Sequence, residues 1–195
     1  MTPSEGQAPS ELRSLEAAAR AAQTRGPAPV HLWNPAFSGD LDIHISRDGT
    51  WSYLGSPINR KRLVRLFASI LRRDEDGRYY LVTPVEKVGI RVEDAPFLAV
   101  LMDVENTGRD RQVTFHTNVG DSVTAGPDHP LRFERSWGGA FKPYVHVRGR
   151  LEALVSRALV HDLIEIAEEG DRGGRLGIWS RGTFFAIGPA DEIAP

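Results

Sequence analysis

The chain has 195 residues, a formal net charge of −2, 41% hydrophobic residues, 26% charged residues and no cysteine. A chain of this length buries roughly 70% of its unfolded surface, enough for one compact domain or two small ones without a staple. The lack of cysteine excludes disulfides, thiolate metal sites and cysteine nucleophiles. The near-neutral charge gives no general drive toward nucleic acid or anionic membrane. The longest apolar run, Phe97 to Met102, is far short of a spanning helix, and the first residues lack a signal-peptide pattern. The expected location is the cytoplasm.

Residues 1–9 read as a tail. Ser10 is placed to cap an alanine-rich helix through Arg25, stopped by Gly26 and Pro27. Its apolar groups are mostly small, so loose docking is expected. Asp42 to Ser46 and Thr50 to Leu54 alternate as two strands around an Arg47-Asp48-Gly49 turn. Gly55-Ser56-Pro57 reads as a loop. Asn59 is the expected cap of a helix from Arg60 to about Arg73, and Asp74 to Gly77 break it. Tyr79 to Thr83 and Val88 to Val92 follow as strands.

A strand-rich stretch comes next. Phe97 to Val104 and Gln112 to Val119 read as strands around Asn106-Thr107-Gly108, with shorter ones at 121–124 and Leu131 to Arg135. Gly138 and Gly139 mark a flexible connection. Tyr144 to Arg148 and Leu151 to Val155 form a hairpin around Gly149-Arg150. Ser156 is the expected cap of a helix to about Glu169. Leu176 to Ser180 and Thr183 to Ile187 close the chain.

Strand–strand–helix–strand–strand thus occurs twice, with the helices at a spacing of 96. Leu63-Val64 falls on Leu159-Val160, Phe67 on Leu163, Ile70 on Ile166 and Gly77 on Gly173. The predicted fold class is α+β: two related ββαββ modules with extra antiparallel strands between them, preceded by an N-terminal helix. The expected boundaries are 1–29, 30–94 and 95–190. The first helix sets Leu63, Val64, Phe67, Ile70 and Leu71 on one face, and Lys61, Arg62, Arg65, Arg72 and Arg73 on the other. The second buries Leu159, Val160, Leu163, Ile166 and Ala167, and exposes Asp162, Glu165, Glu168 and Glu169. One outer face is basic, the other acidic.

Ser46 to Trp51, Gly55-Ser56-Pro57-Ile58, Leu81 to Lys87 and Glu93-Asp94-Ala95-Pro96-Phe97 resemble, in order, a bacterial family of unknown function, DUF1285. So do Thr117 to Asp121, Gly126 to Pro130 and Pro143 to Arg148. The resemblance spans about residues 30–190. It implies a two-part α+β protein with repeated motifs and a signalling or regulatory role, and it supplies no catalytic residue.

Several constellations invite a functional reading. Gly55-Ser56-Pro57 lacks the second glycine of a nucleophile elbow, so a loop into a helix is expected. Arg60, Lys61 and Arg62 at a helix N-terminus suit an anion, or are a solvated face. None of the six histidines has helical metal spacing, and Asp121, Asp128 and His129 read as loop residues rather than a metal set. Trp51 and Trp179 sit in strand patterns, so core packing is expected for both, and Trp137 is the third tryptophan able to stack on a ring.

By alternation, Tyr144, His146 and Arg148 share one face of their strand, and Thr114, His116 and Asn118 share one face of theirs. If the two strands are neighbours, these faces, with Lys87, Arg91, Asp121 and His129, form a patch for a small polar or anionic ligand. The same pattern describes an ordinary solvent face. The leading reading is a non-enzymatic ligand-binding or regulatory module without cofactor or metal. The alternatives are a metal-assisted or acid–base hydrolase using Asp121, His129 and His146, and a scaffold binding a protein partner or its own copy through the opposed helices. Neither membrane nor nucleic acid is an expected partner.

Overall fold

The computed structural model describes residues 10–23, 28–135, 141–170 and 174–189. These fall into two compact units, one within residues 1–45 and 50–91 and the other within 46–49 and 92–195. Trp137, Gly138, Gly139, Gly173 and the predicted helix end at Arg25 to Pro27 lie outside the described residues.

The first unit opens with helix α1, Ser10–Ala21. A six-stranded sheet follows, built from β1 (Phe37–Ile45), β2 (Trp51–Tyr53), β3 (Ser56–Pro57), β4 (Leu71–Arg73), β5 (Tyr79–Val82) and β6 (Lys87–Val92). Its order is β3-β2-β1-β6-β5-β4, and helix α2, Lys61–Ser69, connects β3 to β4. Ile43, Ile45, Trp51, Phe67, Ile70 and Leu81 form the fully buried heart of this unit.

The second unit has a sheet of β7 (Phe97–Glu105), β8 (Gln112–Thr117), β9 (Ser122–Thr124), β10 (Leu131–Arg135), β11 (Phe141–Arg148) and β12 (Leu151–Val155). The order is β10-β11-β12-β7-β8-β9. All its pairings are antiparallel except β12 with β7, a parallel ladder over Phe97, Leu98 and Ala99. Helix α3, Arg157–Glu165, leads to a three-stranded meander of β13 (Glu168–Glu169), β14 (Arg175–Ser180) and β15 (Thr183–Pro189). Two buried polar side chains join the meander to the large sheet. Ser180 Oγ accepts from the Val113 amide at 3.0 Å and donates to the Ala125 carbonyl at 2.7 Å. Arg111, only 6% exposed, donates to the Ile166 carbonyl at 2.6 Å and pairs with Glu168.

The fold is α+β, with two similar β-rich modules behind an N-terminal helix. Helices α2 and α3 are each nine residues long and begin and end 96 positions apart. β6 and β15 start at the same spacing. In each unit a helix runs into a three-stranded antiparallel meander, β4-β5-β6 or β13-β14-β15. The modules differ in closure. The first meander joins the hairpin β1-β2 in one sheet, while the second stands as its own sheet.

Several expectations need correction. Helix α2 ends at Ser69 rather than Arg73, because Leu71, Arg72 and Arg73 pair with Leu81, Tyr80 and Tyr79. Arg72 and Arg73 therefore leave the basic helical face. Arg72 donates to the carbonyls of Val30 and Trp33 at 2.8 and 2.7 Å. Helix α3 ends at Glu165, because Glu168 and Glu169 pair with Gly177 and Leu176. Arg60, not Asn59, holds the cap position of α2, and neither it nor Ser156 makes a side-chain capping bond. Ser56–Pro57 pairs with β2 rather than looping. On α3 only Leu163 is fully buried, and the other predicted core positions are half-exposed.

The N-terminal helix is not loosely docked. Leu12, Leu15 and Ala19 are buried, α1 packs on α2, and Glu16 bridges Arg20 and Arg60 at 2.7 and 3.1 Å. Leu15 is 1% exposed. Leu15→Ala should therefore cost about 2–5 kcal/mol in urea unfolding, as for other fully buried leucines. A loss below about 0.5 kcal/mol would restore the loosely docked helix.

Candidate functional site

The registers of the second sheet decide which predicted residues meet. Strands β11 and β8 are not neighbours, because β12 and β7 lie between them. The patch predicted from Tyr144, His146, His116 and Asn118 is therefore split. Lys87 and Arg91 belong to the other sheet. Arg148 leaves the Tyr144 face as well. A register shift between His146 and Arg148 sets Arg148 opposite Leu151, over the Phe97 ring at 4.9 Å and against Asp121 at 2.7 Å.

What β11 does assemble is a charged cluster around Asp94, a residue the sequence reading did not select. Arg132, Glu134, Lys142, Tyr144, His146 and Glu152 share the polar face of β10-β11-β12, as the pairs Arg132↔Tyr144, Glu134↔Lys142 and His146↔Glu152 require. Asp94 Oδ1 accepts from the Tyr144 hydroxyl at 2.7 Å, and Oδ2 accepts from Lys142 Nζ at 2.6 Å. Arg47 Nε lies 3.5 Å from the same Oδ2, and the Arg47 amide donates to Glu93. The Arg132 guanidinium stacks 4.2 Å from the Tyr144 ring centre and grips Glu152 with two bonds, at 3.0 and 2.8 Å. Glu134 is its second carboxylate.

Electrostatics follow the geometry. Burial pushes the Asp94 carboxyl up, but the bonds from Lys142 and Tyr144 and the nearby Arg47 outweigh it and hold the carboxyl below its ordinary range. The Tyr144 hydroxyl is raised, first by burial and then by its bond to Asp94. Tyr144 is 4% exposed, so it is a buried member of this cluster rather than a surface group. The cluster balances its charges internally, which makes it a brace.

The other predicted residues also have structural partners. His116 Nε2 meets Asp103 at 2.7 Å. Asn118 Oδ1 accepts from the Leu98 amide at 3.0 Å, and its Nδ2 donates to the Gly49 carbonyl at 3.2 Å. Gly49 has φ +81°, and a Cβ there would stand 2.6 Å from Asn118 Nδ2, so the turn needs glycine. His129 Nδ1 bonds the His146 carbonyl at 3.1 Å, and the two rings stack at 5.8 Å. The His146 ring nitrogens face the carbonyls of Asp128 and Gly149, at 3.1 and 2.7 Å. In the first unit, Lys87 pairs with Asp74 at 3.2 Å and covers the Tyr80 ring, while Arg91 pairs with Asp42 at 2.8 Å. Among the described residues, no group of three His, Asp or Glu side chains is placed to hold a metal ion. Trp51 and Trp179 are buried. No helix among the described residues is long and apolar enough to cross a membrane.

The outer face of α2 is different. Lys61, Arg62 and Arg65 are exposed, and among the described residues none has an ion-pair partner. The first turn of α2 carries no acidic residue. Arg60 is committed to Glu16. Positions 61, 62 and 65 fall on one helical stripe. The helix dipole disfavours cations at this end, so this charge works against the stability of the helix.

Two repeated β-rich modules with internally braced sheets and one unpaired basic helix define a class of two-part α+β proteins. The chain belongs to the DUF1285 family. Residues 28–95 match the family's N-terminal domain, a domain of unknown function, and residues 96–187 match its C-terminal domain. A DUF1285 family protein from Silicibacter pomeroyi DSS-3, known from a crystal structure, is similar at 54% identity and TM-score 0.85, over 92% of this chain and 97% of that one. A second, from Shewanella baltica OS155, is similar at 29% identity and TM-score 0.50, over 64% of this chain and 91% of that one. No curated protein matches the chain.

The depressed Asp94 carboxyl makes a pH prediction. Its folded value lies below its unfolded one, so its contribution is complete above about pH 4 and is lost as pH falls through the folded value. Asp94→Asn should lower stability by about 1–3 kcal/mol near pH 7 and flatten the loss of stability on acidification below about pH 4. Urea unfolding across pH measures both. An unchanged acid limb would show that Asp94 is not the brace.

Proposed function

We propose that this protein is a non-catalytic regulatory module that binds an acidic partner on the outer face of α2. One observation carries the reading: Lys61, Arg62 and Arg65 are exposed cations without ion-pair partners among the described residues, and Lys61 and Arg62 stand in the first turn, where the dipole penalises them. Ordinary stability would favour acidic residues there. Three cations on one stripe are suited to recognise carboxylates or phosphates of a partner and to speed its approach.

The sheet residues first considered for ligand binding support the same choice by their engagement. Asp121 is held by Arg148, His129 by the His146 carbonyl, and Tyr144 by Asp94. A hydrolase would need at least one such group facing a substrate with its proton-transfer capacity uncommitted. The binding reading requires no rearrangement of these bonds.

An oligoglutamate peptide serves as the test ligand, followed by calorimetry at rising salt. Binding should weaken with ionic strength as screening grows. The triple charge reversal K61E/R62E/R65E should weaken it at least tenfold, a loss of about 1.4 kcal/mol or more. Circular dichroism should be unchanged, since all three side chains are exposed. Equal affinity of wild type and variant, or binding indifferent to salt, would refute the proposal.

A further inference from the structure

Helices α2 and α3 carry charge of the disfavoured sign at opposite ends. In α2, Lys61 and Arg62 stand in the first turn, with no acidic residue beside them. In α3, Asp162 and Glu165 stand in the last turn, which holds no basic residue. A helix is electrically positive at its N-terminus and negative at its C-terminus, so each pair is repelled by its own helix. All four side chains are exposed. Asp162 has no ion-pair partner among the described residues. Glu165 meets His161 at 3.2 Å, with both side chains largely in solvent. The charged groups that follow α3 are committed. Arg111 reaches the Ile166 carbonyl, but Glu168 matches its charge, and Glu169 accepts from the Gly174 amide.

The two helices also differ in cover. Helix α1 packs on α2, where Leu63, Leu66, Phe67 and Ala68 are buried. The matching positions of α3 are Leu159, Asp162, Leu163 and Ile164, and of these Leu163 alone is buried. Helix α3 packs on β7 and β11, while Asp162, at the position of the buried Leu66, faces solvent.

We infer that the acidic partner of α2 is α3 of a second copy, the first turn of one α2 docking against the last turn of the other chain's α3. This rests on the α2 binding proposed above and names its occupant. In that arrangement the side-chain charges attract, and so do the two helix ends. Arg62 and Arg65 are three positions apart on their helix, and so are Asp162 and Glu165, so each helix offers one matching stripe. Leu159 and Ile166, one turn to either side of Asp162, are half-exposed. The aliphatic stems of lysine and arginine suit such a surface. The contact joins two different faces. Each assembly therefore keeps one free α2 and one free α3, and association continues beyond two chains unless a ring closes.

The test is the mass of the full chain by analytical ultracentrifugation, over a range of concentrations and salt. At low salt the wild type should exceed one chain mass as concentration rises, and added salt should return it toward one. K61E/R62E/R65E and D162K/E165K should each weaken association tenfold or more. Both place first- and last-turn charges where the dipole favours them, so circular dichroism and urea unfolding should show no loss of fold. An equimolar mixture of the two variants should associate again, because the reversed α2 of one meets the reversed α3 of the other. A wild type that stays at one chain mass at low salt overturns the inference. So does association that D162K/E165K leaves intact, or a mixture that fails to restore what the two variants lose. D162K/E165K keeps its α2 and should bind oligoglutamate at least as tightly as the wild type. A monomeric wild type that binds oligoglutamate through α2 would overturn this inference and leave the proposed function standing.

Discussion

The second unit depends on one short parallel ladder. Three residues of β7 join β10-β11-β12 to β7-β8-β9 and make six strands into one sheet. Parallel pairing here needs a crossover, and the chain supplies it through β8 to β11. Because β12 and β7 sit in the middle, β11 and β8 are kept apart, and their polar faces never meet. The ladder stops at Ala99, where the Ser156 amide meets its carbonyl, and the chain turns there into α3, which packs against β7. The placement of the charged cluster and the character of the surface both follow from that choice of neighbours.

The cluster around Asp94 is a second consequence. On the polar face of β10-β11-β12, Arg132 and Lys142 flank Tyr144, and Arg132 takes both sheet carboxylates, Glu134 and Glu152. Asp94 meets the Tyr144 hydroxyl and Lys142, while Glu152 and Glu134 meet Arg132. A partly buried carboxylate with two donors this close adds to stability only while both remain, because losing either leaves charge or a polar group without compensation. This is why a surface rich in His, Tyr, Arg and Asp, which in sequence suggests acid–base chemistry, is in structure a brace. The first unit uses the same device. Asp74 holds Arg72 and Lys87, and Arg72 in turn reaches two backbone carbonyls.

Much of the fold was legible in the sequence because alternation and glycine turns are local signals. Leu131–Arg135 and Leu151–Val155 occupy the predicted bounds, and the spacing of 96 between the helices holds to the residue. The helix ends were not legible. Leu71-Arg72-Arg73 extends the helical period, and only pairing with Tyr79–Leu81 claims it for a sheet. Glu168 and Glu169 behave in the same way. The site was less legible still. Period-two alternation put Tyr144 and His146 on one face correctly, but it cannot name neighbouring strands, and it carries no sign of the shift that turns Arg148 away. Asp94 sits in a loop without periodicity. Its one signal was its place in the Glu93-Asp94-Ala95-Pro96 run, which marks resemblance and not role. Arg111 and Ser180, buried links between two sheets, look like ordinary polar residues of strand ends.

The division of labour, with sheet polar groups bracing the fold and the α2 cations meeting a partner, is tested most directly by amide chemical-shift mapping with an acidic peptide. The account predicts that titration shifts the amides of Lys61 to Arg65 and leaves those of Lys142 to Arg148 in place. Shifts concentrated on Lys142 to Arg148, with α2 unmoved, would contradict it.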